Sequence, residues 1–279
     1  MVGPNSGRLP RLCLLRIAGT VAWREFGRQA FFVKHFFAAT LLIGAAMLPI
    51  GNAAQAQQLV RVGIPQAGAP FAFVDANSAP QGMMVEVLNA IGKDSGLRLQ
   101  YQPMVVTTIG ASVIDNTIDM SGYPLQVPPA DSDKIYLSDP VMTYGEALAV
   151  PKTDAKQYAT YDDLKGLRVG TVTGSVYVDP LQKAGANIQF YNSATVAVGD
   201  LNNGKLDAVV ATGPVIVYAA SNGIFPNIRT VGAFKATVSI PVAFAVRAAD
   251  TNLLMTLNTS LAKLVADGTV KAIKTKWRQ

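Results

Sequence analysis

Apolar and polar residues alternate through Leu59-Val60-Arg61-Val62-Gly63-Ile64, the period of a strand with one buried face, and Ala69-Pro70-Phe71 ends that run in a loop. The period then changes. Met84, Val87, Leu88 and Ile91 fall at i, i+3, i+4 and i+7, one face of a helix that opens near Met83 and stops at Gly96. A strand over 97–101 follows, with Leu97, Leu99 and Tyr101 on one side. The same strand-then-helix rhythm recurs at 168–172 with 175–184 and at 206–211 with 214–220. Such alternation predicts parallel α/β sheets.

Two apolar stretches read as crossings between lobes. Residues 146–150 run into Pro151-Lys152-Thr153-Asp154, and residues 242–246 run into Arg247-Ala248-Ala249-Asp250. Beyond the second, Leu253, Leu257, Leu261 and Leu264 form a helical stripe that reaches Asp267-Gly268, and a last short helix ends near Trp277. No internal repeat or low-complexity segment interrupts the series. The expected architecture is a two-lobed α/β protein.

Residues 1–56 have the layout of a secretory signal peptide. Six basic residues, the last of them Lys34, precede an apolar run over 36–50, and Ala54-Gln55-Ala56 reads as an A-x-A cleavage site before Gln57. A membrane-spanning helix is the weaker reading, because the run falls short of the roughly 20 residues a bilayer needs and contains Pro49. Periplasmic export is the expectation.

The leader also holds much of the charge. The whole chain of 279 residues has a formal net charge of +6, yet beyond residue 56 there are 18 basic against 17 acidic side chains. That balance offers no field for nucleic acid. Cys13 and His35, the single cysteine and the single histidine, both precede residue 57. The exported part therefore has no disulfide, no Cys/His metal site, no thiol nucleophile and no Ser-His-Asp triad, and neither metal nor cofactor is expected.

A series of landmarks resembles family 3 extracellular solute-binding proteins. In order these are Arg61-Val62-Gly63, Pro70-Phe71-Ala72-Phe73-Val74-Asp75, Gly82 before a helix, Leu137-Ser138-Asp139-Pro140, Asp162-Asp163-Leu164-Lys165-Gly166, Asp207-Ala208-Val209-Val210-Ala211, and Ala266-Asp267-Gly268-Thr269 with Trp277. The resemblance covers nearly all of the chain after the leader. It implies the type II two-lobed periplasmic binding fold with two crossing hinge strands. Lobe 1 is expected over 57–147 plus 242–279 and lobe 2 over 148–241. It further implies a monomer that delivers polar amino acids to an inner-membrane ABC permease, the ligand being enclosed by hinge closure.

The family pattern also implies a pocket, and this chain departs from it. An Arg seven positions before Ser138 would hold the ligand's carboxylate, where a guanidinium fork gives bidentate bonds. Here that position is Asp131. The acid expected for a ligand ammonium is Thr212, and the small hydroxyl-bearing segment upstream reads Tyr123-Pro124-Leu125-Gln126. Gly174-Ser175 stands at an expected helix start, where backbone N–H groups could meet an anion. Phe71 keeps its Pro70-Phe71 context.

Each residue also has a plain reading. Asp131 sits in the turn-forming run Pro128-Pro129-Ala130-Asp131-Ser132-Asp133 and suits a solvated loop. Thr212 could end a strand and cap the helix begun by Pro214, Gly174-Ser175 could be an ordinary cap, and Tyr123 could be core. The expected ligand is a small polar or cationic molecule. Asp131 would accept from a donor on it, Gln126 and Thr212 would supply neutral hydrogen bonds, and Phe71 or Tyr123 would pack a flat part.

Three functions compete at this level. The first is a non-enzymatic receptor for an importer. The second is an accessory protein or chaperone of a periplasmic oxidoreductase, favoured by the loss of both ionic anchors. The third is a dehydratase-like enzyme on the same scaffold, which would have to work without His or Cys.

Overall fold

The computed structural model describes residues 58–279. The alternating run at the start of this part is strand β1 (Leu59–Pro65), and a hairpin of β2 (Phe73–Val74) and β3 (Pro80–Gln81) leads into α1 (Met83–Ser95). Helix α1 buries Met84, Val87, Leu88 and Ile91 and ends at Gly96 in the left-handed conformation, as its period and its glycine require. β4 (Arg98–Met104), α2 (Ile109–Ile114), β5 (Met120–Ser121) and β6 (Ile135–Leu137) complete the first stretch, and β7 (Met142–Tyr144) leaves it.

The next stretch comprises β8 (Glu146–Pro151), β9 (Arg168–Val172), α3 (Val178–Lys183), β10 (Asn187–Tyr191), α4 (Ala194–Asn202), β11 (Ala208–Thr212), α5 (Gly213–Ser221) and β12 (Ile228–Thr230). β13 (Ile240–Val242) returns the chain, and β14 (Ala245–Arg247), α6 (Thr251–Ala266) and α7 (Thr269–Lys276) finish it.

Two five-stranded sheets result, with orders β4-β1-β5-β14-β6 and β10-β9-β11-β8-β12. They are not wholly parallel, in contrast to the expectation from alternation. β14 runs antiparallel to both β5 and β6, and β8 runs antiparallel to both β11 and β12. Each sheet thus has one reversed strand, and in each it directly follows a strand that links the two sheets. β7 and β13 pair antiparallel, with Tyr144 opposite Ile240 and Met142 opposite Val242.

The links are therefore 142–144 and 240–242, shifted from the expected 146–150 and 242–246. The reason is that the long apolar runs are the reversed core strands, while the links are only three residues long and carry no period of their own. Glu146 and Ala147 pair with Thr212 and Ala211, so a lobe boundary drawn after residue 147 falls inside β8. The leader lies outside the described residues.

Burial follows the layers. On one face of the first sheet Val60, Val62 and Ile64 pack with α1 residues and with Leu253, Leu257 and Leu261 of α6. The second sheet is covered on both faces, one by Leu148, Val169, Leu181 and Val210, the other by Ala197, Val198, Leu201, Val209 and Ile216.

Candidate ligand-binding site

The loop carrying Phe71 is stitched to α1. Met83 and Met84 donate their N–H groups to the carbonyls of Pro70 and Phe71, both at 2.8 Å, so the helix's first donors are spent on this loop. Phe71 is 3% exposed. Its ring lies 5.9 Å from that of Tyr123, edge to face, and 5.9 Å from that of Tyr144. Tyr123 follows β5 in the first lobe and Tyr144 ends the linking strand β7, and both are half-buried.

Thr212 reaches the same group from the second lobe, at the end of β11. Burial raises the hydroxyls of Tyr144 and Tyr177 above the ordinary tyrosine value, that of Tyr177 to about 12, and the Thr212 hydroxyl partly offsets the rise at both. Burial also raises Tyr123, with a further contribution from Tyr144. Three of the residues expected from sequence, Phe71, Tyr123 and Thr212, thus gather around Tyr144, with Tyr177 beside Thr212. Neither Tyr144 nor Tyr177 stands out in the sequence. One precedes a glycine and the other a short helix, both ordinary places for a packed ring.

Glu146 lies behind this group. It is 4% exposed and sits opposite Thr212 in the strand ladder. Its carboxylate accepts from the Thr237 N–H at 2.7 Å, the Thr237 hydroxyl at 2.8 Å, the Tyr161 hydroxyl at 3.0 Å and the Val238 N–H at 3.3 Å. Burial alone would raise its carboxyl, but these donors outweigh burial and hold it below the usual carboxylate value. Thr237 and Val238 lie just before β13, one residue short of it, so one side chain ties together the segments at the far ends of both linking strands.

Gly145 makes the join tight. A Cβ there would collide with the Ala236 side chain and the Val238 carbonyl, and the Gly145 carbonyl accepts from the Gly213 N–H at 2.9 Å. The sequence signal was available here. Glu146 is the charged residue at the head of an otherwise apolar strand, and such a position calls for buried partners.

The remaining expected residues lie elsewhere. Gly174, with φ at 72°, and Ser175 form a turn rather than a helix start, since α3 begins at Val178 and has only six residues against the expected 175–184. Asp179-Pro180 explains the late opening, because proline is tolerated only in the first turn. Ser175 lies 3.3 Å from the hydroxyl of the buried Thr171, which itself donates to the Val210 carbonyl at 2.9 Å.

Gln126 and Asp131 share a depression of about 480 Å³ with Gly110, Ala111 and Ile114 of α2, and no second-lobe residue lines it. Asp131 ends a short 3₁₀ turn and pairs with Lys134 at 2.9 Å. Arg61, Arg168 and Arg247 are paired with Asp119, Asp207 and Asp250, and Arg229 donates to the carbonyls of Asp154 and Lys156. None of these four meets the tyrosine group.

Two α/β lobes joined by paired linking strands define a hinged binding protein. Residues 60–279 match the model of bacterial extracellular solute-binding proteins, family 3, and the chain belongs to that family. It is 25% identical over 244 residues to the putative ABC transporter arginine-binding protein 2 of Escherichia coli (strain K12), covering 86% of this chain and 98% of the relative. It is also 25% identical over 260 residues to the L-cystine-binding protein TcyJ of the same strain, covering 91% and 96%. The structure of the second substrate-binding domain of Lactococcus lactis GlnP, in an open conformation, matches with a TM-score of 0.67 and 26% identity, covering 80% of this chain and 96% of that one.

Proposed function

We propose that this chain is the periplasmic substrate-binding component of an ABC importer, that residues 1–56 direct its export, and that it holds an amino acid or a related small polar solute between its lobes. The observation that carries the reading is the convergence on Tyr144 of Tyr123 from the first lobe and of Thr212 and Tyr177 from the second, at a two-stranded link. A ligand touching both lobes binds the closed arrangement better than the open one, and only such a difference can drive closure. The relative named as an ABC transporter arginine-binding protein and the one named as an L-cystine-binding protein support transport, with an inner-membrane permease as partner and binding without turnover.

In this reading Tyr123, Tyr144 and Tyr177 present ring faces and hydroxyls to the ligand, Thr212 adds a neutral hydrogen bond, and Phe71 backs the rings from the core. Gln126 and Asp131, in the first-lobe depression, and Gly174 and Ser175, in a turn of the second lobe, have no assigned contact in this reading. The lobes divide at β7 and β13. A thermal-shift panel of the common amino acids with cystine and polyamines tests the function. At a hundred times its dissociation constant a ligand adds about 2.7 kcal/mol, which raises the melting temperature of a chain this size by roughly 5–10 °C. At least one member of the panel should do so. A flat panel would contradict the proposal.

A further inference from the structure

The cleft is bordered by a carboxylate whose charge the protein itself leaves unbalanced. Among the described residues Glu86, Asp94, Asp119, Asp131, Asp200, Asp207 and Asp250 each form an ion pair with a lysine or arginine. Glu146 forms none. Other carboxylates, Asp75, Asp154 and Asp163 among them, also lack an ion pair, but they are exposed or half-buried, whereas Glu146 is buried, and its four hydrogen bonds all come from neutral groups, two backbone N–H groups and two hydroxyls. Neutral donors stabilise a carboxylate but do not cancel its field beyond the first few ångströms, and burial weakens solvent screening of that field.

The field points toward the proposed site. Thr212 is the direct ladder partner of Glu146, and the charge of Glu146 acts on the Tyr177 hydroxyl, next to Thr212 and Tyr144. Asp131, by contrast, has Lys134 at 2.9 Å, so its charge is met locally.

We infer that the ligand of this cleft carries a positive charge and that Glu146, from behind the Thr212–Tyr144–Tyr177 wall, is the residue that selects it; the inference rests on the binding-protein reading above. A cation entering the cleft supplies the counter-charge that Glu146 lacks, and closure, by removing water, strengthens the attraction. The tyrosine faces add cation–π attraction of the same sign. An anionic ligand meets repulsion from Glu146, and no arginine at the tyrosine group offsets it. Glu146 touches the ligand only through this field, so it is a positioning residue in the electrostatic sense, and Thr212 and the tyrosines make the contacts.

L-arginine and its uncharged isostere L-citrulline separate charge from shape. Calorimetric titration of the purified protein should show arginine bound at least tenfold more tightly than citrulline. In Glu146→Gln the ratio should fall at least tenfold, whereas Thr237→Val, which removes a donor and keeps the charge, should leave it unchanged. If Glu146→Gln does not fold, the wild-type ratio together with that of Thr237→Val decides. A wild type that holds citrulline as tightly as arginine, or a folded Glu146→Gln protein that keeps the ratio, overturns the charge selection and leaves the binding-protein reading standing. Failure of the wild type to bind arginine, citrulline or any member of the thermal-shift panel overturns both.

Discussion

Glu146 has two opposed forces acting on one proton. Burial favours the neutral acid, and the donors from Thr237, Val238 and Tyr161 favour the carboxylate and prevail, so its folded pKa lies below the ordinary 4.5. A carboxyl lowered in the folded state contributes stability that is present above its unfolded value and is lost as pH falls through its folded value. The wild type should therefore lose stability below about pH 4.5 more steeply than Glu146→Gln, which has no such proton to take up. Urea midpoints measured down the acid limb check this, and parallel curves would assign the limb to other carboxylates. The signal for this residue, one charge at the head of an apolar strand, was present in the sequence, but its donors Thr237, Val238 and Tyr161 lie too far along the chain to be read from it. Tyr123 and Thr212 were picked out by their register with family landmarks, and the fold brings both near Tyr144. Gln126 and Asp131 were found by the same counting, yet they fall in a first-lobe depression, because register fixes the position of a backbone and not the partner a side chain chooses. Lys134, three residues on, is that partner.

At the scale of elements the two lobes repeat one device that no overall sequence repeat reveals. In the first, Arg61 at the start of β1 donates its backbone N–H and side chain to Asp119, just before β5. In the second, Arg168 at the start of β9 does the same to Asp207, just before β11. Each fork pins the head of the central parallel pair, Val62 opposite Met120 and Val169 opposite Ala208. Asp119 is the less exposed carboxylate of the two and accepts three bonds from Arg61, so Asp119→Ala should cost about 1–2 kcal/mol, read from chemical denaturation, and more than Asp207→Ala. Equal or negligible losses would show that the forks are ornaments of the surface. The strand and helix positions around these forks were legible from period alone: β1, α1, β9 and α6 lie close to where alternation and the i, i+3, i+4 pattern put them. Strand direction was not, since alternation is the same read either way. The reversal of β8 and β14 follows from the links that feed them, and those links are too short to have a period.

Over the whole molecule the two sheets meet through β7 and β13, and a second contact bridges them at the carboxyl terminus. Trp277, after α7, packs against Tyr218 of α5 with ring centroids 5.9 Å apart, and its indole N–H donates to Glu86 of α1 at 3.0 Å. Gln279 donates to the Pro214 carbonyl at 3.4 Å. The sequence shows Trp277 as the end of the last helix; the structure places it half-buried between helices of both lobes, so any hinge motion would have to shift it. The linking pair is short, Gly145 directly follows β7, and the Glu146 carboxylate ties the chain beyond the far end of the pair, so a hinge at this link would confine motion to a few residues. The proposed function requires that the protein bind by closing. The direct measurement is small-angle X-ray scattering on the purified protein, alone and saturated with whichever panel ligand raises the melting temperature most. The radius of gyration should fall on saturation as the lobes come together over Tyr144 and Thr212, whereas an unchanged radius with ligand bound would contradict the hinged account.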